Sequence, residues 1–250
     1  MIASLPMYAL PGTEAAHDRF WVLVRDYLRA AGIAAPDALT HIDGDLLNHW
    51  RAPDLVLSQT CSLPYRSRLR DHVTLIGTPD YGVEGCPPGY YRSVIIARSD
   101  DARDHLEAFS NSRFALNDPV SQSGWAALAS ERPEVLQGPQ MITGSHRASM
   151  NAVQRGAADF AAIDAVTYHS LANAGETNGL RILEQTRPTP GLPLIAAKSV
   201  PALPVFQALR AAIDALDPED RESLGLRALV ALPPDAYDLP IPPAPHANAV

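Results

Sequence analysis

The feature that most constrains this chain is its alternation of short apolar runs with segments of helical period. "DLVLSQ", "VTLIGT", "YRSVIIAR", "RFALN", "PQMITG", "DFAAID", "LRILEQT" and "LPLIAA" all read as strands. An opening strand is expected over residues 3–9, "ASLPMYA". The next stretch, "TEAAHDRFWVLVRDYLRAAG", repeats Phe20, Leu23, Val24, Tyr27, Leu28 and Ala31 at i, i+3, i+4, which marks an amphipathic helix. Thr13 is placed to cap its start, and Gly32 to follow its end. A later helix, "PVFQALRAAIDAL", gathers Phe206, Leu209, Ile213 and Leu216 on one face. "DPEDRESL" opens another, with Asp217 as N-cap and Pro218 in the first turn. Strands alternating with helices predict an α/β protein with mostly parallel sheets. No solenoid repeat or low-complexity linker interrupts the pattern, and residues 80–89, "DYGVEGCPPG", read as a loop.

A chain of 250 residues, 46% of them hydrophobic, can bury one large core or two ordinary ones. No window approaches the roughly 20 apolar residues needed to span a membrane, so membrane insertion is not expected. The net charge is −8, and Lys and Arg form no cluster that would grip a phosphate backbone, so nucleic acid is not an expected partner. The richest basic stretch, "YRSRLRD", reads as a solvated helix face. Proline gathers at element ends and in the tail "LPPDAYDLPIPPAPHANAV", expected to be extended and partly disordered. Cys61 and Cys86 form no CxxC and offer no thiolate zinc site. The pair is compatible with a disulfide in an oxidising compartment or with two thiols in a reducing one. "MIASLPMYAL" lacks a charged region followed by a long apolar one, so no leader is visible; a complete sequence would then be cytoplasmic.

In open α/β sheets, ligands bind beyond the carboxyl ends of strands. Polar residues follow five of the expected strands. They are Tyr8; Ser58, Gln59 and Thr60; Ser121, Gln122, Ser123 and Gly124; Gly144, Ser145 and His146; and Asp164. The stretch "NDPVSQSGWAAL" puts two serines and a glycine where a helix begins. A helix start carries unsatisfied N–H groups and about half a positive charge. Ser121, Ser123 and the backbone near Gly124 can therefore hold an anion, or the serines can simply cap the helix. "TGSHRAS" repeats the arrangement after a neighbouring strand, and two such helices can converge on one ligand. Asp164 has the same two readings, a cap or a partner for a ligand amine. His146 has two as well, helix-start packing or ligand contact.

Enzyme signatures are absent: the chain has no GxSxG, GxxxxGK[ST], HExxH or GxGxxG. The eight histidines include no i, i+4 pair that would hold a metal, and no cofactor motif occurs. Ser145 and His146 are adjacent, an awkward geometry for a nucleophile and its base. Lys198, the one lysine, follows a strand and reads as a surface residue, with a Schiff base as the alternative.

"YYRSVIIAR", "NDPVSQSG", "TGSHRASMNAVQRGAADFAAID" and "TRPTPGLPLI", in this order, resemble the PhnD-like phosphate/phosphonate ABC-transporter substrate-binding proteins of the type 2 periplasmic binding fold. The resemblance runs from about Ser4 to about Leu216. It implies an α/β, two-lobed fold with two mixed sheets flanked by helices and joined by two crossover strands, near "YRSVII" and "PLIAAK". The lobes would be 1–92 plus 197–250 and 93–196, with the ligand in the cleft between them. Carried over, Ser121, Ser123 and Gly124 hold the anion, and Ser145 and His146 line the second lobe. Asp164 matches an acidic position that faces the amine in aminophosphonate binders. Tyr91 matches an aromatic near the crossover, and Tyr8 contributes from the first lobe. With Ser58, Gln59 and Thr60 these form the expected ligand set.

The implied function is non-enzymatic capture of a small anionic or zwitterionic, phosphonate- or phosphate-like solute for an ABC importer. It needs no cofactor or metal. A permease would be the partner and the periplasm the location. Two alternatives remain. One is a pyrimidine-precursor synthase-like enzyme on the same fold, which would need an activated nucleophile, base or lysine. The other is a ligand-sensing domain, which would need a DNA-binding or signalling segment. The segments "SQTCSLPYRS" and "GVEGCPPGYYRS" mark a divergent subgroup.

Overall fold

A computed structural model describes residues 1–10, 12–42 and 44–246. Of the tail 232–250, for which an extended and partly disordered chain is expected, Pro234–Tyr237 instead form a 3-10 turn with Tyr237 buried, residues 240–246 carry no helix or strand, and residues 247–250 lie outside the described residues. In chain order the elements are β1 (Ile2–Ser4), α1 (Glu14–Ala30), α2 (Leu46–Trp50), β2 (Leu55–Gln59), α3 (Ser62–Pro64), β3 (Val73–Asp80), β4 (Tyr90–Tyr91), β5 (Ser93–Arg98), β6 (Phe114–Leu116), α4 (Ala127–Glu131), β7 (Gln140–Ile142), α5 (His146–Gln154), β8 (Phe160–Asp164), α6 (Ala165–Asn173), β9 (Leu180–Gln185), β10 (Thr189–Pro190), β11 (Leu194–Ala197), α7 (Ala202–Asp214), α8 (Pro218–Leu224) and β12 (Ala228–Val230). There are two π-helical turns among the described residues: Tyr65–Leu69 continues from α3, and Gln122–Ala126 lies between β6 and α4.

The chain forms two compact units. The first comprises Met1–Tyr90 and Pro190–Leu239; the second comprises Tyr91–Thr189 and the described residues from Pro240 on. In the first unit the sheet order is β1-β2-β11-β3-β12. β1 and β2 run parallel, whereas β11 is antiparallel to both β2 and β3. One face of this sheet packs on α1 and α7 through Phe20, Val24, Leu28, Leu209 and Ile213. The other face packs on Trp50, Tyr65, Leu69 and Tyr237. β11 shows why it is apolar throughout. Leu194 and Ala196 join the first cluster and Ile195 and Ala197 the second, because successive side chains point to opposite faces.

In the second unit the order is β7-β6-β8-β5-β9. β6 is parallel to β7 and β8; β5 is antiparallel to β8 and β9. Its core holds Phe114 and Phe160 with ring centroids 4.9 Å apart. β4 and β10, where the chain passes from one unit to the other and back, pair as a two-stranded ribbon.

Four sequence expectations need correction. The sheets are mixed rather than mostly parallel, because β11 and β5 insert antiparallel strands that strand–helix alternation does not reveal. The opening strand stops at Ser4 instead of reaching residue 9, since Pro6 has no N–H for a ladder. Thr13 makes no side-chain cap; its hydroxyl donates back to the Leu10 carbonyl at 2.8 Å. Tyr27 is exposed and Trp21 is buried, so the buried stripe of α1 is Ala16, Phe20, Trp21, Val24 and Leu28. Gly32 follows the helix as expected, with φ +77° and the Ile33 N–H bonded to the Leu28 carbonyl at 2.9 Å.

A candidate anion-binding site in the second unit

The order β7-β6-β8-β5 brings four chain segments to one sheet edge. These are the carboxyl ends of β7, β6 and β8, and the start of antiparallel β5, where Ser93 pairs with Asp164. After β6 the chain turns tightly: the Asp118 carboxylate accepts from the Val120 N–H at 2.7 Å, and the Asp118 carbonyl from the Ser121 N–H at 3.1 Å. Ser121 is extended, and its hydroxyl accepts from the Gly124 N–H at 3.0 Å. It is thus an N-cap, one of the two roles its position allows. A hydroxyl that accepts one bond still has its own proton to donate. Gly124 is closely approached: a Cβ there would lie 1.8 Å from Asn117 Oδ1, so any side chain must displace the Asn117 amide.

Ser145 caps α5 by accepting from the Ala148 N–H at 3.1 Å. The two serine-headed helices meet at a side-chain bond, Ser123 Oγ to His146 Nε2, 3.1 Å. Ser93 Oγ donates to the Ser123 carbonyl at 2.8 Å and fixes the turn from beneath. Asp164, buried, accepts from the Val166 and Thr167 N–H groups at 2.8 and 3.1 Å, and so caps α6. Burial pushes the His146 pKa down to about 4, with the nearby Ala162 carbonyl pulling weakly the other way. The ring is therefore neutral at pH 7 and carries one N–H. His146 Nδ1 and Asn117 Oδ1 are buried and make no hydrogen bond. The cluster offers hydroxyl and amide donors on helix N-terminal turns, which suits an anion.

Six of the sequence-derived residues, Ser121, Ser123, Gly124, Ser145, His146 and Asp164, thus gather in the second unit. In the first unit, Tyr8 and Gln59 line a cavity of about 30 Å³, with His17 and Tyr81 among its other walls. That is room for one or two waters. Tyr8 stacks edge-on against Tyr81, centroids 4.7 Å apart, and Gln59 Nε2 donates to the Tyr81 hydroxyl at 3.2 Å. Ser58 is fully buried, its Oγ 2.7 Å from Ser4 Oγ, which in turn meets His49 Nε2 at 2.7 Å. Thr60 is fully buried too, and its N–H donates to the Pro193 carbonyl. Tyr91 is buried in β4. Cys61 and Cys86 are half-buried thiols, not bridged to each other.

Sequence reasoning missed Ser93, Asn117, Tyr81 and Ser62, whose fully buried Oγ makes no hydrogen bond. Ser93 was detectable as a hydroxyl interrupting the run "SVIIA". Asn117 and Tyr81 lie in loops and Ser62 in the three-residue α3, all without a periodic signal. Among the described residues, no group of three or more His, Cys, Asp or Glu is placed to hold a metal ion. No helix of the described residues is long and apolar enough to cross a membrane.

Residues 52–232 match the family described as ABC transporter, phosphonate, periplasmic substrate-binding protein. The chain belongs to this family. Its members are transport binding proteins that capture a solute for an ABC importer. No curated protein matches the sequence.

Among solved structures, the phosphonate-binding family is represented by Prochlorococcus marinus PhnD1 in complex with methylphosphonate. It is 16% identical, covers 94% of this chain and 93% of its own, and has a TM-score of 0.69. A binding-protein component of an ABC phosphonate transporter from Pseudomonas aeruginosa is also 16% identical. It covers 94% of this chain and 82% of its own, with a TM-score of 0.70. A Xanthomonas citri protein bound to chloride is 15% identical, covers 95% of this chain and 93% of its own, and has a TM-score of 0.69. These likenesses establish the type 2 periplasmic-binding fold.

Proposed function

We propose that the protein captures a small phosphonate- or phosphate-like oxyanion, held in the second unit by the hydroxyls of Ser121 and Ser123 and the N-terminal turn of α5. The observation that carries this reading is the 3.1 Å bond between Ser123 Oγ and His146 Nε2, which brings two serine-headed helices to one point. Family membership supplies the chemical class. Asp164 is the group for a ligand amine, so zwitterionic aminophosphonates fall within the proposed range. Tyr8, Ser58, Gln59, Thr60 and Tyr91 are the proposed contributors outside this cluster. A permease is the proposed partner and the periplasm the proposed location. The role is binding without catalysis. Lys198, the residue an enzymatic reading would enlist, is exposed rather than desolvated as a Schiff-base lysine needs.

The test is a thermal-shift panel of methylphosphonate, phosphate, 2-aminoethylphosphonate, alkylsulfonates and amino acids. A ligand that binds only the folded state stabilises it by about 2.7 kcal/mol at a hundredfold excess over Kd, and Tm rises accordingly. The expected outcome is a shift with phosphonates or phosphate that disappears in Ser121→Ala/Ser123→Ala. A double variant that keeps the whole shift would place the anion elsewhere.

A further inference from the structure

The last described residues do not trail away from the fold. Residues 240–246 carry no helix or strand, yet two hydrogen bonds hold them on the second unit. Trp125 Nε1 donates to the Pro243 carbonyl at 3.0 Å, and the His246 N–H donates to Gln140 Oε1 at 2.7 Å. Both partners sit on the elements that carry the proposed anion site. Trp125 lies inside the π-helical turn, one residue after Gly124, and is buried. Gln140 opens β7, whose far end leads to Ser145 and His146, and its Nε2 also holds the Leu136 carbonyl at 3.1 Å.

The segment starts from a fixed point. Tyr237 is fully buried, its hydroxyl 2.6 Å from Thr78 Oγ1 and 3.2 Å from the Gly191 carbonyl, while Arg66 Nε donates to the Leu239 carbonyl. Pro240, Pro242, Pro243 and Pro245 fix φ along the span, so docking it costs less chain entropy than docking a flexible tail would.

We propose that residues 240–246 form a staple that joins the Gln122–Ala126 turn to β7 and so positions the two serine-headed helices of the anion site; this rests on the function proposed above. A π-helical turn is a rare conformation, found mostly as a single turn and often at functional sites, so its surroundings must favour it. Ser93 supplies that support on the sheet side and the staple on the Trp125 side.

The test compares four chains by amide hydrogen exchange and by the methylphosphonate and phosphate thermal shift: the intact chain, a stop after Leu239, Trp125→Phe, and Gln140→Met. The stop variant should exchange about tenfold faster at residues 122–128 and 141–146, with β5 and β8 unchanged, and should bind oxyanions about tenfold more weakly, the scale expected from losing one or two hydrogen bonds. Trp125→Phe, which keeps a ring without the donor, and Gln140→Met should each reproduce part of the effect. Gln140→Glu, which keeps an oxygen for the His246 N–H, should restore it. A synthetic peptide of residues 239–250, added to the stop variant, should recover protection. Unchanged exchange at 122–128 in a folded stop variant overturns the staple. If the stop variant does not fold, unchanged exchange in both Trp125→Phe and Gln140→Met overturns it equally. An intact chain that shifts with no oxyanion removes the proposed anion site, while the exchange results still decide the staple.

Discussion

At Gly124 the Asn117 side chain occupies the place where a Cβ would go, so a larger residue must push it aside. Gly124→Ala should destabilise the fold by about 1–3 kcal/mol, the usual range for overpacking. Adding Asn117→Ala should recover part of that loss, as coupled neighbours do; denaturant midpoints of the two single variants and the double variant measure it. His146 gives a pH dependence. Its folded pKa of about 4 lies below the ordinary 6.5, so between these values the unfolded chain binds a proton that the folded chain lacks. Its contribution to stability is therefore complete above about pH 6.5 and declines toward pH 4, by about 1 kcal/mol per pH unit. Burial lowers the pKa values of His17 and His49 with the same sign, so the diagnostic quantity is a difference. His146→Asn should flatten the fall of Tm between pH 6.5 and 4, and an identical slope in both proteins would refute the assignment. At this scale the caps were legible. Ser121, Ser145, Asp164 and Asp217 all accept from backbone N–H groups, as their types at helix starts suggest. The burial of Ser58 against Ser4 was not legible, because the pairing joins strands far apart in the chain.

Elements carry the distinction between a cap and a ligand contact. Asp164→Asn keeps a side-chain oxygen for the Val166 and Thr167 N–H groups, so α6 should lose little stability. The same change removes the negative charge proposed to face a ligand amine. Binding of 2-aminoethylphosphonate should then fall at least about tenfold more than binding of methylphosphonate, as expected for losing a charged partner. Equal losses, read by titration calorimetry, would leave Asp164 as a cap alone. Periodicity located the helices because apolar stripes report which face is buried. It erred at Tyr27 and Trp21 of α1, since a 17-residue helix has two flanks and only its neighbours decide which is covered. The π-helical turns had no sequence signal: one extra residue in a turn follows from what surrounds it, for Gln122–Ala126 the Asn117 and Ser93 side chains and the Pro243 carbonyl.

Across the whole molecule, the first unit is assembled from two separated stretches, and β11 sits at the centre of its sheet between β2 and β3. That sheet cannot close until residues 194–197 are in place, whereas the strands of the second unit's sheet all lie within residues 91–189. Contacts of long sequence separation form slowly. Refolding followed with single-tryptophan variants should therefore show the signal from Trp125 in the second unit before those from Trp21 and Trp50 in the first; the reverse order would contradict this account. Strand identities and the serine-headed helix starts were determined by the sequence itself, because apolar runs and N-cap residues act locally. Strand direction, the meeting of Ser123 with His146 and the docking of the proline tail on Trp125 were decided only by the tertiary structure. Each depends on which segments distant in the chain become neighbours, and no local pattern of side chains encodes that.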